Sequence, residues 1–131
     1  MEFIDKNGDN VIIKISPKER MMINNALNET CNGMKIPDFE NRVGFPKELV
    51  RALLAEIYPE NLDLTKIIDG NENDIQISLT QNKMLMIANA FHETCKGISV
   101  RAFHARTGVY LEEMQSLLAE FLKLQKNLEE K

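Results

Sequence analysis

One nine-residue segment occurs twice in this chain, and it constrains the fold more than any other feature of the sequence. Residues 25–33 read NALNETCNG, and residues 89–97 read NAFHETCKG. When residues 1–57 are aligned on 65–121 without a gap, 20 of the 57 pairs are identical. Self-similarity at a fixed spacing indicates a repeated structural unit. The sequence therefore predicts a tandem duplication, with repeat one at 1–64 and repeat two at 65–131.

Each repeat begins with a pattern typical of a β-hairpin followed by a helix. β-Branched residues flank an Asn/Gly/Asp-rich turn at about 3–15 and again at about 67–79, which predicts two hairpins. The segment SPKE at 16–19 is a capping box with proline at the first helical position, so a helix should begin there, and Thr80 is expected to cap the matching helix of repeat two. Gly33 is expected to end the first helix of repeat one in the left-handed conformation, and Gly97 is expected to end the matching helix of repeat two.

Two further helices are predicted in each repeat. The short ones span about 37–43 and 99–107, and each stops at a glycine. The longer ones run from Pro46 to about Tyr58 and from about Tyr110 towards Leu128. Their apolar periodicity predicts burial of Ile36, Phe39, Leu49, Val50, Leu53, Leu54 and Ile57, and of Val100, Phe103, Met114, Leu117, Leu118, Phe121 and Leu122.

This order of elements, ββααα twice, predicts an α+β fold that is mostly α. Hairpins alone leave unpaired edges, so the two hairpins are expected to join in one small sheet across a pseudo-two-fold axis, with helices covering one face. A chain of 131 residues can bury one sizeable core but hardly two. We therefore expect a single domain, 1–131, in which both repeats share the core.

Charge and composition narrow the classes of partner. The net charge is −4, with −3 on residues 1–64 and −1 on residues 65–131. Nucleic-acid binding normally requires a cationic surface, so we do not expect it, whereas an acidic surface favours a basic partner. Residues 1–8 have no signal-peptide pattern, and no apolar run approaches the roughly 20 residues of a membrane span. Cys31 and Cys95 lack a CxxC spacing, which predicts free thiols in a reducing cytoplasm. Together with the missing apolar run, this predicts a cytoplasmic protein with no membrane partner.

The segments FENRVGF at 39–45 and FHARTGV at 103–109 resemble helix-turn-helix corners. The small residue usual four positions before the glycine is replaced by Glu40 and His104. Acidic side chains on the helices that follow would oppose binding to phosphates; they are Glu48, Glu56, Glu112, Glu113 and Glu120. A tight helix–helix corner is the preferred interpretation, and a regulator derived from a helix-turn-helix protein is the alternative function.

Several polar residues are identical in both repeats and allow two interpretations. Either they form a pair of symmetric binding sites, or each arginine joins two helices through a carboxylate. We favour the structural role, because bonds that determine the fold should survive duplication whichever repeat carries the function. The residues concerned are Asn25, Glu29, Arg42, Asn89, Glu93 and Arg106.

Candidate metal and catalytic residues lack the required partners. Asp5-x-Asn7-x-Asp9 resembles the start of a calcium loop, but Ser16 stands where the bidentate glutamate is needed. His92, Cys95 and His104 could suggest zinc or a Cys-His pair, but no fourth ligand or nucleophile signature accompanies them. The sequence therefore predicts no catalytic residues, no metal and no cofactor.

The motif N-A-L/F-x-E-x-C-x-G, then F-x-x-R-x-G, then L-L-A-E resembles small bacterial proteins mostly without an assigned activity. The chain is also similar in size and acidity to immunity proteins that neutralise secreted bacterial toxins. This resemblance implies a non-enzymatic inhibitor that masks a basic toxin domain by stoichiometric binding; a second copy of the chain is a further candidate partner. The candidate partner-contact residues are Glu60, Asp63, Asp69, Glu72, Asp74, His92, Arg101 and His104.

Overall fold

A three-stranded antiparallel sheet and six α-helices make up the described part of the chain, so the fold is mostly α with a small sheet, as predicted. The structure is a computed structural model that describes residues 1–57 and 74–129. A π-helical turn, Glu29–Gly33, extends the first helix. The elements are β1 (Glu2–Asn7), β2 (Asn10–Ile15), α1 (Pro17–Asn28), α2 (Phe39–Val43), α3 (Lys47–Ile57), β3 (Ile75–Thr80), α4 (Gln81–Gly97), α5 (Val100–Thr107) and α6 (Leu111–Glu129).

The sheet has the strand order β1-β2-β3, with β2 in the centre. In β2, Val11, Ile13 and Ile15 are fully buried while the residues between them are more exposed, as expected for a strand with one face on the core. β2 pairs with β3 so that Ile13 lies opposite Ile77. The predicted strand near residues 67–69 and the connection between the repeats lie outside the described residues.

The helix starts agree with the capping patterns in the sequence. At the start of α1, the Ser16 hydroxyl accepts a hydrogen bond from the Glu19 amide at 3.1 Å, and the Glu19 carboxylate accepts one from the Ser16 amide at 2.9 Å. The Thr80 hydroxyl accepts from the Lys83 amide at the start of α4. These side chains satisfy backbone donors that a helix leaves unpaired in its first turn.

The ends of the first helices differ from the prediction. Gly44 and Gly108 have left-handed φ angles of 91° and 82° and end α2 and α5, but Gly33 and Gly97 do not adopt positive φ. The expectation of a left-handed cap at Gly33 was therefore wrong, whereas the helix of repeat two does end at Gly97 as expected. The residues that follow these helices, Met34 and Ile98, are extended. At both glycines, a Cβ atom would instead come too close to a neighbouring side chain.

The core lies between the sheet and the helices and is centred on α1 and α4, which pack against each other. α3 packs on α1, and α6 packs on α4. Three side chains predicted to be buried are exposed instead, namely Leu49, Val100 and Leu122. The buried residues of α3 are Val50, Leu53 and Ile57. They form a narrower apolar stripe against α1 than the sequence predicts.

Candidate functional site

Two glutamates at matching positions of α1 and α4 each bind an arginine from a distant part of the chain. Arg106 donates through Nε and Nη2 to Glu29, at 3.3 and 2.5 Å. Arg42 donates through Nη2 to Glu93 at 2.9 Å. The carboxylate side chains are 10% and 8% exposed, whereas the arginine side chains are 39% and 38% exposed. Each arginine therefore joins helices across the fold while part of its side chain remains accessible.

Two asparagines make the second matched pair of contacts. Asn25 Nδ2 donates to the carbonyl oxygen of Thr107 at 2.6 Å, and Asn89 Nδ2 donates to that of Val43 at 2.8 Å. These carbonyls belong to the last residues of α5 and α2, where helical carbonyl groups lack a partner within the helix. Asn25 and Asn89 thus fix the ends of the short helices against α1 and α4.

Two buried threonines lie where α1 and α4 cross. The Thr30 hydroxyl lies 2.8 Å from the Ala26 carbonyl and 3.4 Å from the Ala90 carbonyl, and the Thr94 hydroxyl lies 3.3 Å from the Ala26 carbonyl. No buried side-chain polar atom among the described residues is left without a partner. The centre of the fold is consequently a fully bonded polar network inside an apolar core.

The π-helical turn adjoins the Glu29–Arg106 pair. A Cβ atom at Gly33 would overlap the Glu29 carboxylate, so only glycine leaves room for this carboxylate under the turn. Arg106 Nη2 also donates to the Gly33 carbonyl at 3.2 Å. Single π-turns are uncommon in proteins, but those that occur are frequently found at functional sites. In the matching segment of α4 the helix stays α-helical, and the space beside Gly97 is taken by Met34.

A pocket of about 300 Å³ opens between the two arginines. We call it the arginine pocket. It is lined by Gly33, Met34, Lys35, Ile36, Arg42, Glu93, Gly97 and Arg106.

The two thiols are poor nucleophiles. Cys31 and Cys95 are both free, the first buried and the second half-buried. Burial raises the pKa of Cys31 above its usual value of 9.0, although Arg51 and Lys47 oppose the shift, and burial raises the pKa of Cys95 to about 11. A thiol that holds its proton so strongly reacts slowly. Within the described ranges, no three His, Cys, Asp or Glu side chains are grouped so that they could hold a metal ion.

The structure brings only some of the candidate partner-contact residues together. Arg101 and His104 both lie exposed on α5, and the His104 ring stacks on Tyr110 with centroids 4.3 Å apart. His92 on α4 and Asp74 before β3 are also exposed. The other four candidates lie outside the described residues: Glu60, Asp63, Asp69 and Glu72.

Two residues beside Arg101 and His104 were not recognised from the sequence. Val100 and Tyr110 are 72% and 61% exposed, although Val100 was expected in the core and Tyr110 was noted only as a helix start. The two repeats differ at this position, with Pro46 in repeat one and Tyr110 in repeat two. This difference could have identified Tyr110 from the sequence. We call Val100, Arg101, His104 and Tyr110 the α5 face.

The helix corners carry acidic outer surfaces. Glu48 on α3 and Glu112 on α6 are exposed, and Glu56 binds Lys83 at 2.8 Å. Glu113 forms an ion pair with Lys18, and hydrogen bonds from Lys18 and from the Tyr110 amide lower the pKa of the Glu113 carboxyl. Glu48 and Glu112 therefore place negative charge on the exposed surface of these helices, while Glu56 and Glu113 are paired with lysines.

No family model matches this chain, and neither the curated proteins nor the solved structures include a match. Among the helices of residues 1–57 and 74–129, none has both the length and the apolar character needed to cross a membrane.

Proposed function

We propose that this chain is a non-enzymatic protein that binds and masks a partner protein, in the manner of a bacterial toxin immunity protein. The observation that carries the proposal is the α5 face, on which a largely exposed valine and tyrosine flank an arginine and a histidine. Aromatic residues and arginine are enriched where proteins bind each other, and they supply much of the binding energy.

The chemistry of the described side chains supports binding over catalysis. The most buried charged groups, Glu29 and Glu93, are occupied by arginines, and both thiols hold their protons. A catalytic acid, base or nucleophile must instead be poised to exchange a proton near the working pH. The same proposal includes a cytoplasmic location. It also includes a basic toxin domain as the partner, because the net charge of −4 would attract a cationic protein.

The proposal includes a tandem duplication with pseudo-two-fold symmetry and a sheet joined from both hairpins. The Arg–Glu contacts and the Asn–carbonyl contacts each occur twice, and each residue of one contact lies 64 positions from its counterpart in the other. The pairing of β2 with β3 supports it too, because the register is symmetric about the matching residues Ile13 and Ile77.

Duplication also supports the choice of the α5 face. Once two copies exist, one can retain the structural bonds while the other acquires a binding surface. The copies differ on the α5 face, where Arg101, His104 and Tyr110 stand in place of Pro37, Glu40 and Pro46.

Affinity capture followed by a growth assay tests this function. The tagged chain should retain a defined protein that arrests growth when expressed alone, and co-expression of the chain should restore growth. The variant V100A/R101A/H104A/Y110A should bind the captured protein at least about tenfold more weakly, because truncating interface anchors typically costs more than about 1 kcal/mol each.

The matched control is P37A/E40A on the equivalent surface of repeat one, which should bind like the wild type. Both variants change exposed or half-exposed side chains, so their circular dichroism should be unchanged. A captured protein without toxicity, or undiminished binding by the quadruple variant, would contradict the proposal. Salt-sensitive retention on duplex DNA would instead favour the helix-turn-helix-derived regulator, whose corners at Gly44 and Gly108 the chain does possess.

A further inference from the structure

We propose that the arginine pocket is a binding site for a small organic carboxylate, distinct from the α5 face. Both arginines are bound by nearly buried carboxylates, so their guanidinium groups are oriented before any ligand arrives. Orientation in advance reduces the entropy that binding must overcome. The pocket is thus an anion site whose cations are fixed in place.

Donors remain available on both arginines. A guanidinium group carries five N–H donors in a planar fork. Among the described residues, Arg42 uses only Nη2, while Arg106 uses Nε and Nη2. Nε and Nη1 of Arg42 and Nη1 of Arg106 are therefore unengaged by any described residue. A carboxylate accepts charge-assisted N–H bonds from such unengaged donors.

The charges around the pocket favour a monoanion. Arg42, Arg106 and Lys35 bring three positive charges, and Glu29 and Glu93 bring two negative charges. The net charge of one positive unit is balanced by one carboxylate, whereas a phosphate dianion would leave excess negative charge beside two carboxylates that are shielded from water.

The walls and the volume indicate a small ligand with an apolar body. Met34 and Ile36 are half-buried and line one side, and a methionine side chain adapts to different shapes. A Cβ atom at Gly97 would lie 2.6 Å from Met34 Sδ, so the absence of a side chain at this position leaves space for Met34 in the pocket wall. A volume of about 300 Å³ is at the lower end of ligand sites in proteins. Short-chain aliphatic carboxylates have the matching size and chemistry.

Titration of the isotope-labelled full chain with hexanoate, followed by NMR, tests this site. Hexanoate should produce saturable shifts at Gly33, Met34 and Gly97, whereas hexylamine should produce none and inorganic phosphate should bind more weakly. R106K keeps the charge but loses the unengaged Nη1 donor, and it should weaken hexanoate binding by about tenfold or more, as expected for a lost charge-assisted hydrogen bond. R42Q/E93Q should have a similar effect without leaving a buried carboxylate unpaired.

R51K is the matched control, because Arg51 is an exposed arginine on α3 outside the pocket. It should bind hexanoate like the wild type, and so should V100A/R101A/H104A/Y110A, which separates this site from the proposed protein-binding face. Absence of saturable shifts, equal binding of hexylamine, tighter binding of phosphate, or unchanged affinity in folded R106K would each overturn the proposal.

Discussion

Gly33 and Gly97 hold matching places in the sequence, yet each makes room for a different side chain. At Gly33 the missing Cβ leaves space for the Glu29 carboxylate, and at Gly97 it leaves space for the Met34 thioether. The first neighbour is fixed by two hydrogen bonds from Arg106, while the second is the flexible end of a half-buried side chain. The same substitution should therefore have different effects at the two positions.

Gly33→Ala is expected to lower the free energy of unfolding by about 1–3 kcal/mol, the usual range for forcing extra volume into a packed site. The added methyl group must displace the Glu29 carboxylate and weaken its bonds to Arg106. Urea denaturation followed by circular dichroism measures the change.

Gly97→Ala is the comparison. Met34 can move aside, and alanine is favoured over glycine in a helix by up to about 1 kcal/mol, so this variant should be neutral or more stable. Equal losses in the two variants would show that the fixed carboxylate does not control the effect.

The Cys95 thiol provides a pH-dependent prediction. Its pKa is raised from 9.0 to about 11 by burial, so the folded chain holds this proton more tightly than the unfolded chain does. The associated stability is fully present below pH 9 and is lost as the pH rises towards 11. Between pH 8 and pH 10.5, the denaturation midpoint should fall by more in the wild type than in Cys95→Ala. The opposite order would contradict a desolvated thiol.

At the scale of the elements, side-chain caps decide where the helices start and how the short helices are held. Ser16 and Thr80 were identifiable from the sequence because their partners lie three residues away. The partners of Asn25 and Asn89 lie 82 and 46 residues away, so the sequence indicated that these asparagines matter without showing which carbonyl each one binds.

Asn89→Ala is expected to reduce the free energy of unfolding by about 1–2 kcal/mol, because the half-buried carbonyl of Val43 loses its donor. Thermal denaturation measures the loss. Asn28→Ala serves as the control, since Asn28 is exposed and its side chain bonds only Asn32 among the described residues. If both variants melt at the same temperature, the asparagine–carbonyl bond does not stabilise the end of α2.

At the scale of the whole molecule, strand pairing, helix packing and ion pairs join the two halves. β2 pairs with β3, α1 packs on α4, and both Arg–Glu pairs cross from one half to the other. A fragment of about 65 residues would expose these surfaces to water, and domains of that size are marginal even with a complete core.

Residues 1–64 and 65–131, expressed separately, are therefore expected to be largely unfolded by circular dichroism, and the intact chain should unfold in one cooperative transition. Mixing the two fragments should restore helical signal, because the missing surfaces are supplied by the other half. Two independently folded fragments would contradict the prediction of a single shared core.

The sequence by itself determined the helices, the first hairpin and the helix starts, because local periodicity and caps act over a few residues. It also indicated the polar residues that matter, since they recur 64 positions apart. Only the tertiary structure decided which arginine meets which glutamate, that Gly33 is needed for space, and that Val100 and Tyr110 are exposed. These outcomes depend on how distant helices pack, and the free energy of such contacts is not encoded in any local pattern.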